Sequence, residues 1–400
     1  MVHTPTSHAG AGNVVADAMT PEARAVAVKR LARDAGFDLV GITDASDFTD
    51  AEAAIAARIR AGLMDGLPWY TEARARHGCH PTEILPGACS IIALGVSYYT
   101  PAPPVPQAGA LRGRVSRYAW GQDYHRVMEK RLRHLMRGIE SLGGRAAKAY
   151  VDYGPPPDRA VARRAGLGWY GKHTNLLTTS HGSWVFLAEV LTDLDLAPDA
   201  PLKKTCGACA ACIPACPTGA IVAPYVLDNR RCISYHTIEN RGVIPVEFRA
   251  SIGDWVFGCD LCQDACPVNH RKQGQGDSAF AAASLDDARP DLAALLAMTA
   301  DEFRERYKHS AVRRATLAGL QRNACIALGN LGDRRAVPDL IRALRHAAPL
   351  VRGHAAWALG RLGGAAARDA LAAASGDEHE TDAWVREEIA MALVMADGAR

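Results

Sequence analysis

Eight of the eleven cysteines lie between Cys206 and Cys266, and seven of those eight fall in two runs that each close on Cys-Pro. The first run is CGACAACIPACP, with Cys206, Cys209, Cys212 and Cys216. The second is Cys259, Cys262 and Cys266, completed by Cys232 upstream. This is iron–sulfur spacing: closely spaced thiolates let one loop occupy three corners of a cubane, while the cysteine before proline ligates the neighbouring cluster. Cys206, Cys209, Cys212 and Cys266 are thereby assigned to one [4Fe-4S] cluster, and Cys216, Cys232, Cys259 and Cys262 to a second. The competing readings are two zinc knuckles or a disulfide framework. Structural zinc takes its ligands as two separated pairs, a pattern the first run does not resemble.

The 400 residues point to two or three domains, because single cores stop growing at roughly 250–300 residues. Residues 1–20 hold no basic region followed by an apolar core and read as a disordered leader. No apolar run approaches the roughly 20 residues that span a bilayer, so no membrane is expected. Clustered thiols without an export signal fit a reducing cytoplasm. The net charge of +3 makes no claim to nucleic acid for the chain as a whole, yet from Arg304 to Arg368 thirteen Lys or Arg stand against three acids.

Along residues 21–200 the periodicities predict a helix from Pro21 capped by Thr20, and a strand at FDLVGIT. A second strand runs from Ser90 to Tyr99, and a basic helix from about Asp123 to Leu142. A third strand, AAKAYVD, ends at Asp152 before a proline corner, a helix follows at DRAVARRAGL, and SWVFLAEVLT reads as a buried strand. This irregular order, followed by a dicluster ferredoxin-like module over 201–275, predicts an α+β class. Beyond residue 290, NACIALGNLGD recurs after 31 residues as HAAWALGRLGG. Helical pairs repeating at that period stack into a HEAT-like solenoid.

GLGWYGKH (166–173) matches both a dinucleotide fingerprint and a phosphate loop. It follows a helix rather than a strand, and His173 stands where a phosphate loop needs Ser or Thr. A turn that lets backbone approach a large ligand, with Lys172 and His173 beside it, is the better reading. Asp152, between a strand end and the prolines, is placed either for acid–base work or as an Asx-turn or helix cap. Tyr124, His125 and Arg159 flank the same cleft. The segment from Arg114 to Arg137 mixes aromatics with positive charge, as a solvated helix face does and as single-stranded nucleic acid binders do. Cys79, Cys89 and Cys325 read as inert buried thiols.

Taken together, RYAWGQDYH (117–125), VDYGP (151–155), RAGLGWYGKHTNLL (164–177), GSWVFLAEVLTDL, the two cysteine sets and RNACIALGN (322–330) resemble the epoxyqueuosine reductases. The likeness covers nearly the whole chain after the leader. It implies a nitroreductase-like, reductive-dehalogenase-like domain that binds cobalamin, two clusters that feed it electrons, and repeats that help hold tRNA. By this likeness Asp152 donates a proton. Tyr118, Asp123, Tyr124, His125, Asp152, Arg159, Lys172, His173, Ser183 and Ser234 line the cofactor or substrate pocket, and Arg322, Arg352 and Arg361 meet the tRNA. It further implies tRNAs with GUN anticodons, an external low-potential electron donor and a monomer. Side chains cannot carry such redox chemistry themselves, so a cofactor must. The nearest match to the cobalamin motif D-x-H-x-x-G is DYHRVM, with Met128 in place of glycine, and this favours base-off cobalamin. After Pro155 the chain reads PPDR where the family commonly has valine, leucine and glutamate. A cobalamin dehalogenase and a dicluster electron carrier are the other readings; bound cobalamin and tRNA binding discriminate among the three.

Overall fold

The computed structural model describes residues 19–106, 109–270 and 276–398. The leader expected over 1–20 lies outside them except for its last two residues. Helix α1 (Pro21–Asp34) starts as its sequence dictates: the Thr20 hydroxyl accepts from the Ala23 amide, and Pro21 occupies the first turn, where no amide is needed.

Four strands form the central sheet: β1 (Leu39–Asp44), β2 (Ser90–Ser97), β3 (Ala147–Tyr150) and β4 (Val185–Thr192). Their spatial order is β1-β2-β4-β3, and every pairing is antiparallel. Helices cover both faces, so the apolar β2 is buried along its whole length. On one face α1 and α2 (Tyr124–Ser141) pack over Ile92, Leu94 and Val96. Met128, Leu132, Leu135 and Ile139 make the buried stripe of α2, at the three- and four-residue spacing of an amphipathic helix. On the other face α3 (Asp158–Arg164) packs over Ile91, Ala93 and Leu191. The class is mixed α and β with an antiparallel sheet.

Strand β3 stops at Tyr150, two residues earlier than expected, because Asp152 takes a left-handed conformation (φ 31°) that breaks the ladder ahead of the prolines. The glycine segment also differs from a plain turn. Gly168–Tyr170 pairs with Leu176–Thr178 as a tight hairpin, and a Cβ on Gly168 would sit 2.2 Å from the Leu177 carbonyl oxygen.

The repeats comprise α4 (Leu317–Leu331), α5 (Val337–Ala343), α6 (Pro349–Leu362), α7 (Ala365–Ser375) and α8 (Ala383–Gly398). The recurring ALG motifs sit on α4 and α6, where small residues permit close approach. A Cβ on Gly329 would lie 3.0 Å from Ala358, and one on Gly360 2.8 Å from Ala392. One apolar core runs from Ile233, Ile252 and Phe257 of the cysteine-rich segment through Leu320, Trp357 and Ile389 of the repeats. Cys79 and Cys325 are buried as expected, whereas Cys89 is exposed in the turn before β2. Among the described residues no helix is long and apolar enough to cross a membrane.

Candidate active site and cluster ligands

Asp152 is the centre of a hydrogen-bonded group assembled from two elements. Its side chain is half exposed; Oδ1 lies 2.9 Å from His125 Nε2, and Oδ2 accepts from the Tyr124 hydroxyl. His125 Nδ1 lies 2.8 Å from Asp123 Oδ1, the same oxygen that caps α2 by accepting from the His125 amide. The Asp123 amide in turn donates to the His309 carbonyl at 2.8 Å, which ties the site to the chain leading into the repeats. Desolvation works against the charged imidazole, but hydrogen bonds to Asp123 and Asp152 outweigh it and push His125 up to about 9. Burial and the Asp152 carboxylate hold the Tyr124 phenol well above its ordinary value, so it stays a donor. The Tyr124 ring is clamped between His125 at 4.1 Å and Phe186 at 4.3 Å, and Tyr118 meets it edge-on. Aromatic stacking and paired hydrogen bonds thus fix the carboxylate in place.

Other expected pocket residues lie around this group in different roles. His173 is buried; Nδ1 accepts from the Asn175 amide at 3.2 Å, which leaves Nε2 protonated, sealed and without a protein partner. Burial and Arg159 push it down to about 4, so the ring is neutral. Arg159 donates to the Thr174 carbonyl at 3.2 Å. Lys172 donates to the Gly207 carbonyl at 2.8 Å and so braces the first cysteine loop. Ser183 is buried between the sheet and the cysteine-rich segment, its hydroxyl held by Asn269 at 2.8 Å and Gln263 at 3.0 Å. The Ser234 amide bonds Cys232.

Burial raises the Cys212, Cys266, Cys259 and Cys262 thiols, and their mutual fields sort the cysteines. Cys212 feels Cys266, Cys206 and Cys209, and Cys266 feels Cys206 and Cys209. Cys259 feels Cys232 and Cys262; Cys262 feels Cys232 and Cys216, and Cys212 less. Backbone amides already point at sulfur, as Ala220 does at Cys216 Sγ (3.3 Å). Among the described residues no three or more His, Cys, Asp or Glu converge on one ion. Two sets of four thiols, with Cys212 and Cys266 buried and Cys209 exposed, suit cubane clusters.

The three arginines expected to meet tRNA are corrected in part. Arg322 is buried, its guanidinium held by the carbonyls of His236 (2.6 Å), Asn240 and Gly242 (both 2.8 Å). Asn323 binds the Thr237 and Val256 carbonyls, and Asn330 those of Arg249 and Gly253, so this motif ties the repeats to the cysteine-rich segment. Arg352 is bidentate to Glu380 and mostly enclosed. Arg361 is exposed, over the Trp357 ring. Much of the positive excess is answered by acids outside that stretch: Arg304 by Asp301, Arg306 by Asp287 and Arg314 by Glu239.

Arg314 was missed. It feels Tyr124 and Asp152 while stacked 5.2 Å from the half-exposed Trp69, and no motif marked either residue. Glu189, buried, and Asp158, part-buried with its Oδ1 sealed, lie near Asp152 and were missed too, although a glutamate inside the apolar run VFLAEVLT was a visible signal.

Residues 205–269 match the 4Fe-4S double cluster binding domain, 79–153 the epoxyqueuosine reductase QueG family, and 309–394 the HEAT repeats. The chain is 40% identical over 289 residues to the epoxyqueuosine reductase of Synechocystis, covering 71% of this chain and 98% of that one. To that of Gloeobacter violaceus it is 43% identical over 316 residues, covering 77% and 97%. A crystal structure of epoxyqueuosine reductase with an epoxyqueuosine-modified tRNA-Tyr stem loop superposes with a TM-score of 0.86 at 34% identity, over 92% of this chain and 98% of that one. The Bacillus subtilis enzyme, solved with its catalytic aspartate loop swung out of the active site, gives 0.84 at 33% identity, over 92% and 97%. With its double-cluster segment, its helical repeats and relatives matched along almost their whole length, this chain belongs to the epoxyqueuosine reductase family.

Proposed function

We propose that this protein reduces epoxyqueuosine in tRNA to queuosine, the final step of queuosine biosynthesis. The observation that carries the reading, beside family membership, is Asp152: a carboxylate in left-handed backbone, half open to solvent and gripped by Tyr124 and His125. In the B. subtilis relative a loop named by its aspartate is called catalytic, and Asp152 likewise sits on a loop. Asp152 receives the proton carried by His125 and delivers it to the departing epoxide oxygen, while Tyr124 holds the second carboxylate oxygen in place.

Two [4Fe-4S] clusters are held by Cys206, Cys209, Cys212 and Cys266, and by Cys216, Cys232, Cys259 and Cys262. Cobalamin, when bound, supplies the two-electron chemistry at carbon that side chains cannot. The residues present suit it: His173 Nε2, in the glycine hairpin expected to meet a large ligand, is a sealed polar atom without a protein partner, a donor of the kind that the amide-rich edge of a corrin accepts. Both ring nitrogens of His125 are taken by Asp123 and Asp152, which supports a base-off form with no histidine on the metal. The nitroreductase-like character of residues 21–200, the limits 201–275 and 290–400 for the other two parts, a monomeric state, an external low-potential donor and tRNAs with GUN anticodons belong to the same reading. Anaerobic protein with reconstituted clusters and cobalamin, supplied with a low-potential reductant and epoxyqueuosine-containing tRNA, should yield queuosine on nucleoside analysis. Unchanged epoxyqueuosine under those conditions overturns the reading.

A further inference from the structure

Converting an epoxide to an alkene breaks both C–O bonds, consumes two electrons and two protons, and releases the oxygen as water. Asp152 can carry one proton at a time, so a second must reach it in every turnover. The core of the sheet holds a group suited to store it. Glu189 sits in the middle of β4, 1% exposed, with Tyr150 of β3 across from it on one side and Ala93 of β2 on the other. The chain leaves β3 at Tyr150, passes Asp152, turns through Gly154 and three prolines, and returns to place Asp158 at the start of α3, packed on the same sheet face. There the Asp158 and Glu189 carboxyls lie within each other's field and within reach of a shared proton. Asp158 Oδ1 and Glu189 Oε1 are both sealed from solvent, and among the described residues no N–H or O–H group donates to either.

The surroundings offer little to neutralise two negative charges. Asp152 faces both carboxyls, Tyr150 and Tyr153 lie in the field of Glu189, and Arg159, the cation that acts on Asp158, is engaged with the Thr174 carbonyl. Two carboxyls in contact away from water cannot both ionise, so they share a proton.

We propose that Asp158 and Glu189 hold one proton between them and relay it to Asp152, as the store for the second proton of epoxide reduction. The inference rests on the function proposed above. In the step, an O–H bond of the pair breaks and one forms on the Asp152 carboxylate; no electrons move. The pair regains its proton from solvent through Asp152 after water and product depart.

Glu189→Gln and Asp158→Asn keep shape and hydrogen bonding but cannot share the proton. In both variants cluster content and thermal midpoint should stay near wild type, while kcat falls on the order of 10²-fold, the low end for a positioned acid–base group. The KM for tRNA should not change, and the solvent deuterium isotope effect on kcat should rise. Independently of activity, infrared spectra of the substrate-free protein at neutral pH should show a protonated-carboxyl band that Glu189→Gln abolishes. Wild-type kcat in either variant overturns the relay, as does a lowered kcat with an unaltered isotope effect, or the lack of that band in the wild type. A wild-type enzyme that fails to form queuosine instead rejects the function, and the infrared comparison still reports on the shared proton.

Discussion

Arg249 and Glu388 form a bidentate ion pair across the join between the cysteine-rich segment and the last repeat helix, at 2.7 and 2.6 Å, with side chains 1% and 4% exposed. The same guanidinium donates to the Ile244 carbonyl and lies over Trp357. Removing one partner strands a buried charge, so Glu388→Ala should cost about 3–5 kcal/mol, whereas exchanging both for well-packed apolar residues should recover most of it. Urea unfolding of the single variant and of Arg249→Met with Glu388→Leu checks this; equal losses in the two would show that the pair is worth more than its desolvation.

Asp152→Asn should retain iron, cobalamin and tRNA binding while lowering turnover by roughly 10² to 10⁴, the usual worth of a positioned general acid. Tyr124→Phe should lower it less, because His125 still holds Oδ1. Single-turnover formation of queuosine separates the two, and full activity in the asparagine variant would remove Asp152 from the chemistry.

His125 gives the site its pH dependence. Its folded-state value is raised above the ordinary imidazole value to about 9, so its pairing stabilises the fold fully below about 6.5 and that contribution is lost as pH rises through about 9. The thermal midpoint of wild type should therefore exceed that of His125→Gln at neutral pH, with the gap closing above about 9. Turnover should decline over the same alkaline range as Asp152 loses its proton source. A gap that widened with pH would contradict the assignment of charge.

Much of this architecture could be read before any coordinates, and for physical reasons. Cysteine spacing is a covalent constraint, and the 31-residue recurrence reflects helices that must bury small residues against neighbours, so both survive as pattern. Asp152 was legible from the prolines behind it. Its partners His125 and Tyr124 were legible only as neighbours of a cleft, because the contact spans 27 and 28 residues. Arg322 misled because a tally of charge cannot distinguish a guanidinium facing solvent from one locked on three carbonyls. Arg314 carries no local pattern: it comes into the field of Asp152, and over the Trp69 ring, only through how the chain entering the repeats docks.

The interleaved thiol sets predict an asymmetric defect. Cys216 closes the first run in sequence, but lies in the field of Cys232 and Cys262. Cys216→Ser should leave about four irons per chain, with the paramagnetic signal of the cluster of Cys206, Cys209, Cys212 and Cys266 preserved after reduction. Loss of that cluster instead would reverse the ligand assignment.

With Arg322 and Arg352 committed to internal partners, α2 is the other basic surface on which tRNA phosphates are expected. Arg126, Arg133 and Arg137 line one exposed groove with Lys130 and His134, and none of the three forms an ion pair among the described residues. The same helix begins at Tyr124 and His125, so a stem lying along its basic face would bring a loop nucleotide towards Asp152. Replacing all three arginines by glutamine should weaken tRNA binding for every sequence alike and flatten its salt dependence, each lost phosphate contact removing roughly 0.7 to 0.9 from the log–log slope. The matched control is Arg361→Gln on the repeats. If that single change flattened the slope while the triple variant did not, the tRNA would lie along the solenoid, as the charge tally first suggested.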